Sequence, residues 1–151
     1  MEKQNDMLKI YLDNCCYNRP FDNLTQTRIK NEANAVNLII SLSKKGKIII
    51  TSSIFVDMEI TRNKNELKRQ KVLEIYRYDE YYKLSSEIEK TARVYQTYGL
   101  KPFDSLHLAA AETNLVDYLL TTDDDFIKIS ARFEHKSKIM NPYNFIKGGF
   151  L

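Results

Sequence analysis

The chain has 151 residues, a net charge of +3 from 23 basic and 20 acidic side chains, and only four glycines. A chain of this length is predicted to form one domain, residues 1–151, that buries enough apolar surface to fold without disulfides or a structural metal. The nearly balanced charge excludes both a strongly basic nucleic-acid binder and a disordered tail. The glycines match neither the Rossmann nor the P-loop spacing, which excludes a glycine-rich phosphate loop.

Two adjacent cysteines, Cys15 and Cys16, are the only thiols in the chain. Neighbours in sequence make a poor disulfide, and no histidine or further cysteine stands at zinc-ligand spacing. The first nine residues, MEKQNDMLK, lack the apolar stretch of a secretory signal, and no apolar run is long enough to span a bilayer. We therefore expect reduced thiols and a cytoplasmic protein without a membrane partner.

Apolar periodicity predicts strands that alternate with helices along the chain. Short runs rich in β-forming residues predict strands at residues 8–13, 47–51, 115–122 and 138–141. Apolar residues at helical spacing predict helices at 25–43, from Ser52 or Ser53 to 61, and at 65–76, 84–98, 104–114 and 123–132. This alternation predicts an α/β fold with a mainly parallel sheet covered on both faces.

Carboxylates follow or adjoin four of these predicted elements. Asp13 ends the first strand, Glu59 lies on the helix after the second strand, and Asp104 opens a later helix; residues 123–125 (DDD) follow a late strand. Ligands of open parallel sheets bind at the carboxyl ends of the strands, so we expect these acids to meet at one edge. Gathered carboxylates repel one another unless a cation compensates, and Mg²⁺ and Mn²⁺ prefer oxygen ligands. The pattern predicts metal-assisted phosphodiester hydrolysis.

Each acid also has a purely structural interpretation. Asp13 could bond its own backbone in a turn, and Glu59 could pair with Arg62 on a helix surface. Asp104 could complement a helix dipole, and one acid of residues 123–125 could cap the next helix. Each structural interpretation is as good as the catalytic one for its own residue, and for Glu59 it is the better of the two. The agreement among four separate placements favours a shared site.

Asp57 is a second acid close to Glu59. Residues two positions apart on a helix point about 200° away from each other, so only one of the two can face the site. We assign Glu59 to the site.

The sequence around these acids resembles the four acidic motifs of the PIN-domain nucleases. Glu59 stands in TSSIFVDMEI, Asp104 in DSLHLAAAE and Asp123 in TTDDDF, and the last two motifs are the more specific. The resemblance extends from residue 8 to about residue 141. It implies a Rossmann-like three-layer α/β/α sandwich whose acidic pocket binds Mg²⁺ or Mn²⁺ and hydrolyses RNA.

Carried over residue by residue, the resemblance implies a role for each member of the site. Asp13, Asp104 and Asp123 would hold the metal, and Glu59 would be a further ligand or would orient the attacking water. The auxiliary candidates are Asp125, Thr121 and Asn14. Many small members of the family are VapC-type toxins that form dimers and are neutralised by an antitoxin. A homodimer and an antitoxin partner are therefore further implications.

A basic stretch follows Glu59 and offers a surface for the RNA substrate. Its members are Arg62, Lys64, Lys68, Arg69 and Lys71. Cations beside a metal site can track a phosphate backbone, although a solvated helix face is the plainer interpretation. Four tyrosines follow, and we expect them to pack in the core or at a dimer contact rather than to stack on RNA bases: Tyr76, Tyr78, Tyr81 and Tyr82.

His107 stands three residues after Asp104, on the same predicted helix face. It could act as a general acid or base. A buried histidine satisfied by hydrogen bonds is the preferred interpretation, because metal-assisted hydrolysis does not require an imidazole.

Two other functions are compatible with carboxylates at strand ends. One is a non-catalytic PIN-like module that binds RNA or protein. The other is a receiver-like phosphoacceptor, which needs paired acids after the first strand and a lysine after a late strand. Asn14 follows Asp13, and no lysine follows the late strand before Lys128, so the sequence disfavours a receiver.

Overall fold

Five parallel strands form the central sheet of the protein, whose computed structural model describes residues 7–149. The strands are β1 (Lys9–Leu12), β2 (Ile49–Ser53), β3 (Glu80–Tyr82), β4 (Tyr118–Leu120) and β5 (Lys138–Met140), and they lie in the order β3-β2-β1-β4-β5. Residues 1–6 and 150–151 of the predicted domain lie outside this description. Residues 1–6 carry most of the N-terminal segment in which no secretory signal was expected.

Helices connect the strands and flank the sheet. Those described are α1 (Asn14–Asn18), α2 (Thr27–Lys44), α3 (Ile54–Thr61), α4 (Glu66–Ile75), α5 (Ser86–Thr97), α6 (Pro102–Thr113), α7 (Asp124–Ser130) and α8 (Pro142–Lys147), and a 3₁₀ turn covers Arg19–Phe21. The predicted α/β fold with a parallel sheet is confirmed. Within the described part of the chain, no helix is both long enough and apolar enough to cross a membrane.

The centre of the sheet is fully buried. Ile10, Tyr11 and Leu12 of β1 and Leu119 and Leu120 of β4 have no exposed surface. Strands buried on both faces are continuously apolar, and for this reason the apolar runs of β1 and β4 could be recognised in the sequence. The chain passes from β3 at one edge to β4 beside β1, so the strand order reverses between β1 and β4. Ligand sites of open parallel sheets form at such a switch point.

Several predicted boundaries are wrong, and some short elements were not predicted. Helix α6 begins at Pro102 and not at Asp104, because proline suits the first position of a helix, where no N–H partner is needed. Strand β2 ends at Ser53, two residues later than predicted, and Ser53 Oγ then accepts from Phe55 N to cap α3. The helices α1 and α8 and the three-residue edge strand β3 were missed.

A buried carboxylate on α2 ties this helix to the loop after β4. Glu32 accepts from Arg19 Nε at 2.7 Å and from Arg28 Nε at 3.0 Å, and its side chain is only 2% exposed. Arg28 in turn donates to Thr122 O at 3.1 Å and to both oxygens of Asp124 at 2.9 Å. The ion pairs therefore hold the segment on either side of Asp123 in place.

We expect Glu32→Gln to lower the free energy of unfolding by about 2 kcal/mol, because it removes the buried carboxylate that Arg19 and Arg28 share and leaves them only their more exposed partners, Asp22 and Asp124. Urea unfolding followed by circular dichroism measures the change. The control is Glu89→Gln, which breaks an exposed pair with Arg93 and should cost no more than about 0.5 kcal/mol. A loss for Glu32→Gln as small as that of the control would contradict the assignment.

Candidate active site

Asp13 follows β1 directly and is nearly buried, with 6% of its surface exposed. Its backbone N–H donates to Leu120 O across the sheet at 3.0 Å. Its carboxylate accepts from Asn14 N at 2.7 Å through Oδ1 and from Thr121 Oγ1 at 2.8 Å through Oδ2. These bonds orient the group, while Oδ1 keeps a lone pair for a further partner.

Thr121 joins Asp13 to Asp123 at the ends of β1 and β4. Besides donating to Asp13, its Oγ1 accepts from Asp123 N at 3.1 Å. Asp123 Oδ1 accepts from the N–H groups of Asp125 and Phe126, at 2.9 and 3.3 Å, so Asp123 does cap α7. The cap uses one oxygen of the carboxylate and holds the side chain at the edge of the sheet beside Asp13.

Glu59 reaches the same edge from α3 and contacts His107 of α6. His107 Nε2 lies 2.7 Å from Glu59 Oε1 and 3.6 Å from Asp13 Oδ1. Its other ring nitrogen, Nδ1, lies 2.6 Å from Tyr11 Oη. His107 has no exposed surface, so the expectation of a buried, hydrogen-bonded histidine is confirmed. Burial lowers the pKa of His107, but the hydrogen bond to Glu59 and the charge of Asp13 outweigh it and raise this pKa.

Asp57 points away from the site, as the helical geometry predicted. Its carboxylate accepts from Tyr76 Oη at 2.5 Å and from Tyr81 Oη. Tyr78 lies between these two rings, with centroids 5.6 Å from Tyr76 and 4.9 Å from Tyr81, and is exposed. Tyr82 is buried. Tyr76, Tyr78 and Tyr81 therefore form one packed cluster beside α3 and β3, and the burial of Tyr82 agrees with the packing role expected of it.

Asp104 lies in the first turn of α6 and interacts electrostatically with the other acids of the site. Burial and the negative charges of Asp13 and Asp123 raise the pKa of Asp104 to about 7, and Glu59 adds to the effect. His107 acts in the opposite direction but does not cancel it. Burial is the largest cause of the raised pKa, and the contributions of Asp13 and Asp123 place their charges close to Asp104.

The tightest group of metal-binding atoms differs from the predicted set of ligands. Among the residues that the structure describes, Asp13, Glu59 and His107 can each offer a ligand atom within 4.8 Å of the others. Of the three ligands predicted from the sequence, only Asp13 belongs to this group. Asp104 and Asp123 lie farther out and interact with it through their charges.

The two remaining auxiliary candidates occupy different surroundings. Asn14 accepts from Asn18 Nδ2 at 3.2 Å and lines an open cavity of about 330 Å³ next to Glu59. Asp125 is exposed in the first turn of α7, and its contact with the site is the backbone N–H that it gives to Asp123. Asn14 thus lines the cavity beside Glu59, whereas Asp125 contacts the site through its backbone N–H, which bonds Asp123.

The basic stretch does not form a single helix face, because it runs from the end of α3 through a turn into α4. Arg62 borders the cavity, with its guanidinium 4.9 Å from the centre of the Phe103 ring. Lys68 pairs with Asp22, and Arg69 donates to Asn63 O at 2.7 Å. Lys64 and Lys71 are exposed. Two of the five cations therefore have structural partners, and Arg62 lies nearest the acids.

Replacing Thr121 by valine tests whether its hydroxyl organises the acids. Valine keeps the shape but removes the group that bonds both Asp13 and Asp123, so we expect affinity for Mn²⁺ to fall about 10- to 100-fold. Isothermal titration calorimetry of the metal-free protein measures this affinity. Thr122→Val is the matched control, since the hydrogen bonds of Thr122 run through its backbone. Equal Mn²⁺ affinities for the two variants would contradict the role of Thr121.

Two contacts at the site were not foreseen from the sequence. Glu59 and His107 are 48 positions apart, and only the packing of α3 against α6 brings them together. Cys15 is a free thiol whose Sγ lies 3.4 Å from Asp13 Oδ2 and 3.3 Å from Thr121 Oγ1. The position of Cys15 two residues after Asp13 was a signal for the second contact, but no pattern in the sequence pointed to the first.

Comparison with known families matches residues 24–132 to the PIN domain. The matched segment includes Glu59, Asp104 and Asp123, whereas Asp13 lies before it. No curated protein matches the sequence significantly.

Three solved structures share the fold at low sequence identity. VapBC2 from Rickettsia felis, bound to a DNA fragment from its promoter, is 16% identical, with a TM-score of 0.58 over 89% of this chain and 98% of that one. FitAcB from Neisseria gonorrhoeae is 14% identical, with a TM-score of 0.59 over the same shares. VapC20 from Mycobacterium tuberculosis, a toxin that cleaves the sarcin-ricin loop, is 13% identical, with a TM-score of 0.56 over 82% of this chain and 94% of that one.

Proposed function

Because the chain belongs to the PIN-domain family, we propose that it is a Mg²⁺- or Mn²⁺-dependent endoribonuclease. Its catalytic carboxylates are Asp13, Glu59, Asp104 and Asp123. The observation that carries the proposal is the meeting of these acids at the ends of β1 and β4, where Thr121 joins Asp13 to Asp123 and where Glu59 and Asp13 both lie within 3.6 Å of His107 Nε2. Burial raises the pKa of Asp104, and repulsion from the charges of Asp13 and Asp123 raises it further. A divalent cation at this edge of the sheet would remove that repulsion.

The donor atoms fit such a cation. All four acids offer carboxylate oxygens, which Mg²⁺ and Mn²⁺ prefer, and the half-buried position of Asp104 and Glu59 leaves them open to solvent on one side. The cation, when bound, lowers the pKa of a water molecule and neutralises charge that develops on the phosphoryl group.

The residues of the chain then have separate tasks. Asp13, Asp104 and Asp123 would hold the metal. Thr121 would fix the positions of Asp13 and Asp123 relative to each other. Glu59 would be a further ligand of the metal or would orient the attacking water. As the family chemistry implies, hydrolysis leaves a 5′-phosphate and a 3′-hydroxyl.

The RNA would lie along the cavity beside Glu59. Arg62 at the rim of the cavity supplies a cation for the phosphate backbone, and the exposed Lys64 and Lys71 extend the positive surface. Lys68 and Arg69 support the turn between α3 and α4 through their partners Asp22 and Asn63.

A toxin role in the cytoplasm, with a homodimer and an antitoxin partner, is the biological setting that we propose. It is supported by the shared fold with VapBC2, FitAcB and VapC20. The tyrosine cluster beside β3 is the proposed dimer contact. A short adjacent reading frame for a DNA-binding protein would support an antitoxin; an isolated gene whose expression leaves growth unchanged would contradict the toxin role.

A panel of structured and single-stranded RNAs tests the enzymatic function. We expect cleavage with Mg²⁺ or Mn²⁺, none with excess EDTA, and recovery when the metal is restored. Cleavage that continues in EDTA would contradict metal dependence. If Mn²⁺ stabilises the protein but no RNA in the panel is cut, the alternative of a non-catalytic RNA- or protein-binding module is favoured.

A further inference from the structure

We propose that His107 is a positioning residue for Glu59, which it holds through Nε2–H. Tyr11, which is itself bonded to Ser53, holds the imidazole from the other side. The inference deepens the proposed function and rests on it, because the position of Glu59 matters to a hydrolytic site. His107 would act through Glu59 and would not itself touch the substrate.

The contact between His107 and Glu59 joins a rigid group to a mobile one. Glu59 has a long side chain that is 27% exposed, so without a partner its carboxylate would sample several rotamers. The His107 ring has no exposed surface and lies between the rings of Tyr11, Phe55 and Phe103, with centroids 5.5, 6.4 and 6.2 Å away. A ring packed in this way presents Nε2 in one direction.

The donor and acceptor at this contact follow from the chemistry of the groups. An ionised carboxylate only accepts hydrogen bonds, so the hydrogen at the 2.7 Å contact belongs to His107 Nε2. The same N–H group lies 3.6 Å from Asp13 Oδ1. His107 Nε2 is therefore directed at the space between two of the proposed catalytic acids, and it bonds the one whose side chain is less constrained.

A hydrogen-bonded chain behind the imidazole returns to the helix that carries Glu59. Tyr11 Oη lies 2.6 Å from His107 Nδ1 and 2.6 Å from Ser53 Oγ. Ser53 Oγ accepts from Phe55 N and so caps α3, the helix of Glu59. This series of hydrogen bonds thus runs from the start of α3 through β1 and α6 and returns to α3 at Glu59. It sets the distance of Glu59 from the sheet. Metal-site partners of this kind orient the ligands that they bond.

Two amide variants of His107 separate positioning from packing. In His107→Gln the side-chain NH₂ can reach the place of Nε2 and still donate to Glu59, whereas in His107→Asn the amide is one methylene too short. We expect His107→Asn to lower kcat for RNA and the affinity for Mn²⁺ by about tenfold or more, with KM for RNA within twofold of the wild type. His107→Gln should recover most of both losses. His135→Asn is the control, because the ring nitrogens of His135 lie against backbone carbonyls of Ser130 and Ser137.

Calorimetric Mn²⁺ binding, kcat and thermal unfolding are measured on the same preparations. Selective rescue by glutamine, with both variants equally destabilised, supports the inference. The inference would be overturned if both variants lost kcat and Mn²⁺ affinity equally, in proportion to their instability. It would also be overturned if His107→Asn kept the wild-type kcat and Mn²⁺ affinity. If the wild type cuts no RNA, the proposed function fails, and the Mn²⁺ affinities alone decide the role of His107 by the same comparison.

Discussion

Replacing Asp13 by asparagine should lower RNA cleavage by at least about 100-fold. Residues that merely orient metal ligands cost about 10- to 100-fold when they are replaced, and Asp13 is a proposed ligand. Asparagine keeps the size of the side chain and an oxygen for Asn14 N–H, so the fold should persist while the negative charge is lost. Single-turnover cleavage at saturating Mg²⁺ measures the effect directly.

The matched control for this variant is Asp117→Asn at the opposite edge of the sheet. Asp117 precedes β4 and accepts from Lys9 N at 2.9 Å, so it is a carboxylate with a structural partner and no place in the proposed site. Its replacement should leave the cleavage rate within about twofold of the wild type. If Asp13→Asn kept a tenth of the wild-type rate, or if both variants lost activity equally, Asp13 would not hold the assigned role.

Asp104→Asn should make the metal-free protein more stable at pH 8 and abolish cleavage. The pKa of Asp104 rises from 3.8 to about 7 in the folded protein, because burial and the charges of Asp13 and Asp123 disfavour its ionised form. Between pH 4 and pH 7 the folded state therefore binds a proton that the unfolded state has lost. Stability falls as the pH rises through this window, and the full penalty is present above pH 7.

Asparagine removes this penalty without changing the volume of the side chain. Because Asp104 is partly exposed, we expect a gain on the order of 1 kcal/mol at pH 8 in EDTA, which vanishes near pH 4. Saturating Mg²⁺ should reverse the order, since only the wild type gains the full free energy of binding. Thermal unfolding followed by circular dichroism tests this. A variant that is less stable than the wild type at pH 8 in EDTA would contradict the explanation.

Strand β1 and helix α2 were predictable because their burial leaves a regular pattern in the sequence. Strand β1 buries a continuous apolar run, and helix α2 buries a stripe of apolar residues at helical spacing. Both were predicted within two residues of their observed bounds. The strand β3 was missed because its sequence, EYY, contains no aliphatic residue and so lacks the apolar run by which the other strands were predicted. Its two tyrosines were read as packing residues, a role that does not reveal their conformation.

The site was partly predictable, since the ends of parallel strands converge by topology. Asp13 and Asp123 follow β1 and β4. Helix geometry allowed only one of Asp57 and Glu59 to face the site, and Glu59 was assigned to it. The contact of Glu59 with His107 could not be predicted, because it depends on how α3 and α6 pack across 48 positions of sequence. Long-range pairs of this kind leave no local periodicity.

The central claim is that Asp13, Glu59, Asp104 and Asp123 share one divalent cation site. The most direct measurement is anomalous diffraction at the manganese edge from crystals of the protein grown with Mn²⁺. We expect an anomalous peak among the carboxylates of these four residues, at the ends of β1 and β4, and its loss in crystals of Asp13→Asn. No peak at this edge of the sheet at saturating Mn²⁺, or a peak bound only by other residues, would contradict the claim.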